Sequence, residues 1–135
     1  MTNSIAEIED ARCIFVIGSN TTACHPLIAT RIYRGKEKGA KLLVADPRNI
    51  QLSRFADVAV HHRLGSDVAL LNGMMHLIIR NGWHSKEYIG ERTEGYDALE
   101  RAVAVYTPER VKAITGVAPE QIEKMAELYA ANRPA

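Results

Sequence analysis

Three short stretches of this chain carry residue types suited to holding an anionic nucleotide: Gly18-Ser19-Asn20-Thr21-Thr22, Asp46-Pro47-Arg48 and Gly65-Ser66-Asp67. Gly18 lets backbone approach a ligand closely, and Ser19, Asn20 and Thr21 offer hydroxyl and amide groups to phosphate oxygens. Asp46 follows Gly18 by about 28 residues, close to where a nucleotide-binding fold keeps the carboxylate that takes ribose hydroxyls. Arg48 carries the planar fork that suits a phosphate. A carboxylate at Asp67 can accept from both N–H donors on the guanine edge, whereas adenine offers it only an amino group. Either Asp46 or Asp67 can be the base reader on these grounds. The expected division gives the base to Asp67 and the ribose to Asp46.

Taken singly, each stretch is also an ordinary strand-to-helix connection. Gly-Ser-Asp is a common helix start, with an acid that complements the helix dipole. The case for a nucleotide rests on three such exits falling on one sheet edge. Other reactive residue types read as structural. His61 and His62 leave an extended segment in opposite directions and make no metal pair. His76 sits inside an apolar helix as a core residue, and Met74-Met75 is core filler. Cys24 lies near a helix start, which lowers a thiol pKa, but no neighbour marks it as a nucleophile. His25, before Pro26, serves a helix start as readily as a ligand.

The elements that must position these stretches follow from hydrophobic patterning. Cys13-Ile14-Phe15-Val16-Ile17 and Lys41-Leu42-Leu43-Val44-Ala45-Asp46 are continuous apolar runs, as in strands buried on both faces of a parallel sheet. Val58-Ala59-Val60-His61-His62 reads as a third, weaker strand. Pro26 suits the first turn of a helix that closes near Gly39, and Gln51–Phe55 suits a short helical turn. Gly65-Ser66-Asp67 opens the strongest helix, Val68–Arg80, which Asn81-Gly82 ends. Ser4-Ile5-Ala6-Glu7 is a capping box for a short helix near residues 4–10. From residue 83 onward the pattern is helical only: Ser85–Gly90, Tyr96–Val105, Pro108–Ile114 and Pro119–Ala131, with a turn at Thr93-Glu94-Gly95. The expected fold is a three-layer α/β unit with a parallel sheet over about 11–81, and a C-terminal helical appendage over about 83–131.

Composition narrows the function classes. The 135 residues are 47% hydrophobic and 24% charged, enough for one self-sufficient core and too apolar for long disorder. Seventeen basic against sixteen acidic residues leave a net charge of +1, so no global attraction to nucleic acid exists and any anion site is local. The apolar runs are far shorter than the roughly 18 residues of a membrane span, and Met1–Glu7 shows no secretory leader. Two cysteines make neither a disulfide framework nor a closed metal set, which fits a reduced, cytoplasmic setting. GxGxxG, GxxxxGK[ST], HExxH, GxSxG and CxxC are all absent, and no triad can be drawn. No catalytic residue and no metal ligand is therefore expected within the chain.

Beyond these physical readings, longer strings resemble a known family. Ile17-Gly18-Ser19-Asn20-Thr21-Thr22-Ala23-Cys24-His25-Pro26, Gly39-Ala40-Lys41-Leu42-Leu43-Val44-Ala45-Asp46-Pro47-Arg48 and Gly65-Ser66-Asp67-Val68-Ala69-Leu70-Leu71-Asn72-Gly73-Met74 are similar to three motifs of the molybdopterin oxidoreductases. Arg92-Thr93-Glu94-Gly95-Tyr96, Tyr106-Thr107-Pro108-Glu109 and Ile114-Thr115-Gly116-Val117 resemble the formate dehydrogenase catalytic (alpha) subunit within them. Nearly the whole chain is covered, in order. The resemblance implies a Rossmann-like domain, internal to a larger subunit, that grips bis-molybdopterin guanine dinucleotide carrying molybdenum or tungsten. By position, Gly18, Ser19, Asn20, Thr21 and Thr22 would meet its phosphates, Asp46, Pro47 and Arg48 its guanosine end, and Gly65, Ser66 and Asp67 would complete that pocket. Cys24 stands where the family often has Glu, and Leu64 where it commonly has Pro. The iron–sulfur cluster and the metal-ligating Cys or selenocysteine would belong to the remaining domains of the parent, so this chain alone would catalyse nothing. Two alternatives stand beside this: a scaffold domain of the NADH–quinone oxidoreductase large iron–sulfur subunit, and an unrelated small nucleotide-binding domain.

Overall fold

A computed structural model describes residues 4–132 of the chain. Met1, Thr2 and Asn3, on which the reading of the N-terminal stretch partly rests, lie outside the described residues. At the start, the Ser4 amide donates to Glu7 Oε1 at 3.4 Å and opens a 3₁₀ turn, Ile5–Asp10, rather than an α-helix. Glu9 of that turn forms ion pairs with Arg31, Arg34 and Lys38, which dock it on the helix that follows.

Strands β1 (Cys13–Ile17), β2 (Lys41–Ala45) and β3 (Val58–Val60) form a parallel sheet in the order β1-β2-β3. Ile14 pairs with Leu42 and Ala45 with Val60, so alternate residues of all three strands face the same way. Ile14, Val16, Leu42 and Val44 point to one face. There they pack with Ile32 of α2 (Pro26–Glu37), and with Ile50 and Leu52 at the 3₁₀ turn Gln51–Arg54. Cys13, Leu43, Ala45 and Val60 point to the other face. That face is covered by α3 (Asp67–Arg80) through Leu70, Met74 and Leu77, and by the helical C-terminal part. The result is three layers, helix–sheet–helix, of the α/β, Rossmann-like kind.

The remaining helices are α1 (Thr21–Cys24), α4 (Lys86–Arg92), α5 (Tyr96–Val103), α6 (Pro108–Thr115) and α7 (Pro119–Ala131). The C-terminal helical appendage contributes to the core at its far end. Val111 of α6, with Ile122, Met125 and Ala126 of α7, completes the second core layer, and Tyr129 meets Phe15 of β1 edge-on at a centroid separation of 6.2 Å. Thr107 caps α6 by accepting from the Arg110 amide, as its place before Pro108 implies. Burial pushes the Cys13 thiol up to about 11, aided by the nearby Asp57 charge, so it behaves as an inert core group.

Two differences from the sequence reading bear on the sheet edge. Thr21–Cys24 winds into one helical turn where the sequence reads as a loop, and β3 ends at Val60, leaving His61 and His62 outside the ladder. Asp57 pins the start of β3: its amide donates to the Leu42 carbonyl and its carboxylate accepts from the Leu42 amide, both at 2.8 Å.

At Gly73 helix α3 lies tight against α6, because a Cβ built there would stand 2.7 Å from Val111 Cγ2. Gly73→Ala gains about 1 kcal/mol of helix propensity but forces an overpacking worth about 1–3 kcal/mol. The expected net is a loss near 1 kcal/mol, read as a lower midpoint in a thermal melt. A raised midpoint would show that α6 yields freely.

Candidate functional site

The three strand exits meet at the carboxyl edge of the sheet. Gly18 takes φ +62°, a left-handed backbone that L side chains rarely adopt, and its amide donates to the Ala45 carbonyl at 2.9 Å. The Asp46 amide donates to the Val60 carbonyl at 3.1 Å, and His61 Nδ1 lies 3.0 Å from the Asp46 carbonyl. A Cβ on Gly18 would lie 3.9 Å from Asp67 Oδ1. The first loop therefore borders the second through backbone and the third through the Asp67 carboxylate.

Within the first loop the polar groups are turned toward one another. Ser19 Oγ and Thr21 Oγ1 share a hydrogen bond at 3.0 Å, and the Thr22 hydroxyl donates to Asn20 Oδ1 at 3.1 Å. Thr21 is buried, while Ser19, Asn20 and Thr22 are half-buried. Asn20 and Thr22 share with Arg48 and Asn49 the lining of an open cleft of about 350 Å³.

Asp46 is buried, with 1% of its surface exposed, and Arg48 lies over it. The guanidinium donates from Nε to Oδ1 at 2.9 Å and from Nη2 to Oδ2 at 3.1 Å, and the Arg48 amide donates to Oδ1 at 2.9 Å. The Arg48 fork, read from sequence as a phosphate donor, thus grips its own neighbour across Pro47. The hydrogen bond from Arg48 holds the Asp46 carboxyl below its ordinary value near 3.8, against the opposing effect of burial.

Gly65, at φ +76°, turns the chain into α3. The Ser66 hydroxyl donates to the Arg63 carbonyl at 2.6 Å, which leaves its oxygen only as an acceptor. Asp67 opens α3 and is half exposed, where a carboxylate complements the helix dipole. His62, read from sequence only as no part of a metal pair, has a partner that the sequence did not show: it is 2% exposed, and its Nε2 lies 3.0 Å from Asp67 Oδ1. His62 and His61 do face different partners, and no cluster of three potential ligands exists among the described residues. His76 is only half-buried, so its reading as core is too strong. Cys24 is exposed at the end of α1.

Acid stability follows from these carboxylates. Burial raises Asp57, but Lys36, the Leu42 amide and Lys41 together hold it below its ordinary value near 3.8. A lowered carboxylate contributes stability that is present above the unfolded value and lost as pH falls through the folded one. Thermal melts should therefore be flat from neutral pH down to about 4 and fall below it. Asp57→Asn should be less stable at pH 7 and show a shallower acid decline. Parallel acid limbs for the two proteins would remove Asp57 as a cause.

Comparison with known proteins adds an independent line. Residues 1–132 match the molybdopterin oxidoreductase family. The alpha subunit of an F420-dependent formate dehydrogenase of Methanococcus maripaludis is 46% identical over 129 residues, covering 96% of this chain and 19% of that protein. Formate dehydrogenase H of Escherichia coli is 41% identical over 130 residues, covering 96% of this chain and 18% of its own length. Acetylene hydratase from Pelobacter acetylenicus superposes with a TM-score of 0.89 at 27% identity, over 97% of this chain and 20% of that one. The chain thus spans about a fifth of the length of the proteins it matches.

Proposed function

The chain belongs to the molybdopterin oxidoreductase family, and from that premise we propose that it is the part of a formate dehydrogenase that holds the guanosine diphosphate end of bis-molybdopterin guanine dinucleotide. The observation that carries this reading is the meeting of three ligand-like loops at one sheet edge, where Gly18 stands against Asp67 and the Gly18 amide reaches the carbonyl before Asp46. The donor set fits such a group. The half-buried Ser19 hydroxyl and the Asn20 side-chain NH₂ suit phosphate oxygens, with Thr22 holding the Asn20 carbonyl, and the Asp67 carboxylate suits the guanine N–H edge. Arg48, with its side chain largely exposed, can keep Asp46 and still present its outer guanidinium face to an anion.

When bound, the cofactor supplies molybdenum- or tungsten-centred two-electron chemistry for formate oxidation to CO₂. The residues of this chain anchor and orient its nucleotide arm, Gly18 giving close backbone approach and Pro47 stiffening the Asp46–Arg48 turn. The iron–sulfur cluster and metal ligands are assigned to the remaining domains of the larger subunit, which are the proposed protein partners. No described helix is long and apolar enough to cross a membrane.

A titration with GDP tests the reading. Because the whole cofactor reaches beyond this domain, GDP should bind with a millimolar to high-micromolar constant, about 4–6 kcal/mol. Amide shifts should cluster at residues 18–22, 46–48 and 65–67. Shifts confined elsewhere, or none at millimolar GDP, would overturn the assignment.

A further inference from the structure

His62 lies just beyond β3, inside the angle between the sheet edge and the start of α3. Its Nε2 is 3.0 Å from Asp67 Oδ1, while its Nδ1 is buried and has no hydrogen-bond partner among the described residues. Those two facts fix the proton. With the proton on Nε2, the ring donates to a carboxylate and buries only a bare lone pair. With the proton on Nδ1, a donor would be buried without an acceptor and two acceptors would face each other at 3.0 Å.

Filling this space does not require a histidine. A leucine of similar bulk would avoid burying the unpartnered Nδ1, so the imidazole is best explained by what its other nitrogen does. That nitrogen holds the one hydrogen bond described for the Asp67 carboxylate. Without it, a half-exposed side chain at the first position of a helix rotates about χ2 in solvent. With it, the carboxylate plane is set, beside the Gly18 turn.

We infer that His62 is a positioning residue, which donates from Nε2 to Asp67 and thereby presents the carboxylate in the plane that accepts both N–H groups of guanine. This rests on the proposed guanine-nucleotide site. A carboxylate oxygen has two lone-pair sites, so Oδ1 can accept from His62 and from one guanine N–H while Oδ2 accepts from the other. His62 then acts on base choice without touching the base.

Three proteins test this: the 135-residue chain as it stands, His62→Gln and His62→Leu, each titrated with GDP and with ADP. Glutamine can place an amide N–H near the Nε2 position, and leucine cannot. The expected result is a GDP constant weakened about five- to tenfold in His62→Leu and held within about threefold in His62→Gln. The ADP constant should be unchanged in both. Equal weakening for GDP and ADP, or no rescue by glutamine, would reduce His62 to a packing residue and overturn the inference. If the unsubstituted chain fails to bind GDP, the guanine site itself falls and the inference with it; binding with an indifferent His62 leaves the site standing and removes only the inference. Should His62→Leu fail to fold, the imidazole ¹⁵N shifts of the unsubstituted chain decide, since a proton found on Nδ1 rules the proposed bond out.

Discussion

Asp67→Asn is expected to weaken GDP about tenfold or more while leaving ADP nearly untouched. The substitution keeps size and removes one acceptor, replacing it by a donor. The arrangement at His62 dictates how the asparagine sits: its carbonyl oxygen turns to accept from Nε2, 3.0 Å away in the native side chain, and its NH₂ takes the place of Oδ2. There it meets a guanine N–H donor with a donor of its own. A poorly matched polar pair in a partly desolvated site costs about 1–3 kcal/mol, and 1.4 kcal/mol is tenfold in affinity. Adenine has no second donor on that edge and should register little. Asp46→Asn makes the contrast. Its carboxylate is buried beneath Arg48 and already accepts three N–H donations, so its loss should disturb the shared loop geometry and weaken both nucleotides together. Equal losses for GDP and ADP in Asp67→Asn would remove Asp67 as the base reader.

Leu42→Ala should cost the most stability of any single change considered, about 2–5 kcal/mol. Leu42 is fully buried in the central strand, between Ile14 of β1 and the turn that carries Leu52. Truncation removes apolar contact and leaves a hole that rigid strands on both sides cannot close. Because a domain of this kind holds about 5–15 kcal/mol in all, the variant should stand near the limit of folding. Urea titration is the measurement: the midpoint should fall with the slope unchanged, since the surface exposed on unfolding is nearly the same. Leu64→Ala is the matched control. Leu64 is 87% exposed, and its loss should stay within about 0.5 kcal/mol. A comparable shift in the control would mean that surface, not core, sets the stability.

The sheet was legible because its signal is local. Cys13–Ile17 and Lys41–Ala45 are unbroken apolar runs bounded by turn residues, and the chain can hide such runs only between two layers. The cap at Thr107 was equally plain, accepting from the amide three residues on, whereas Ser85, read as the first residue of its helix, is instead the cap before it. Thr21–Cys24 was not legible. Four residues starting with two β-branched threonines have no helical propensity of their own, and the turn forms because the Asn20 carbonyl accepts from both the Ala23 and Cys24 amides at 3.0 Å. The end of β3 is lost to sequence for a similar reason. The Asp46 carbonyl meets the His61 ring, so the strand ladder stops at Val60.

In the site, sequence identified the three loops but not their internal pairings. Residue type suggested that Arg48 faces outward, whereas burial of Asp46 beside it makes the fork turn inward, because a carboxylate out of water needs a donor more than an exposed guanidinium needs a phosphate. His62 and Asp67 meet only because Gly65, at φ +76°, folds the chain back between them. A histidine five residues before an acid, with a glycine between, is the signal that was available.

The consecutive strand order has a meaning in the time in which the chain is made. Each strand docks beside the one just synthesised, so each new pairing closes only a short loop, and the α2 face needs nothing beyond β3. The opposite face waits. Its cover over β1 comes from α7, where Tyr129 reaches Phe15 from roughly 110 residues downstream. As the polypeptide leaves the ribosome, one side of the sheet is sealed by the middle of the chain, while on the other Leu70, Met74 and Leu77 of α3 arrive first and the layer closes only when Ile122, Met125 and Ala126 of α7 follow.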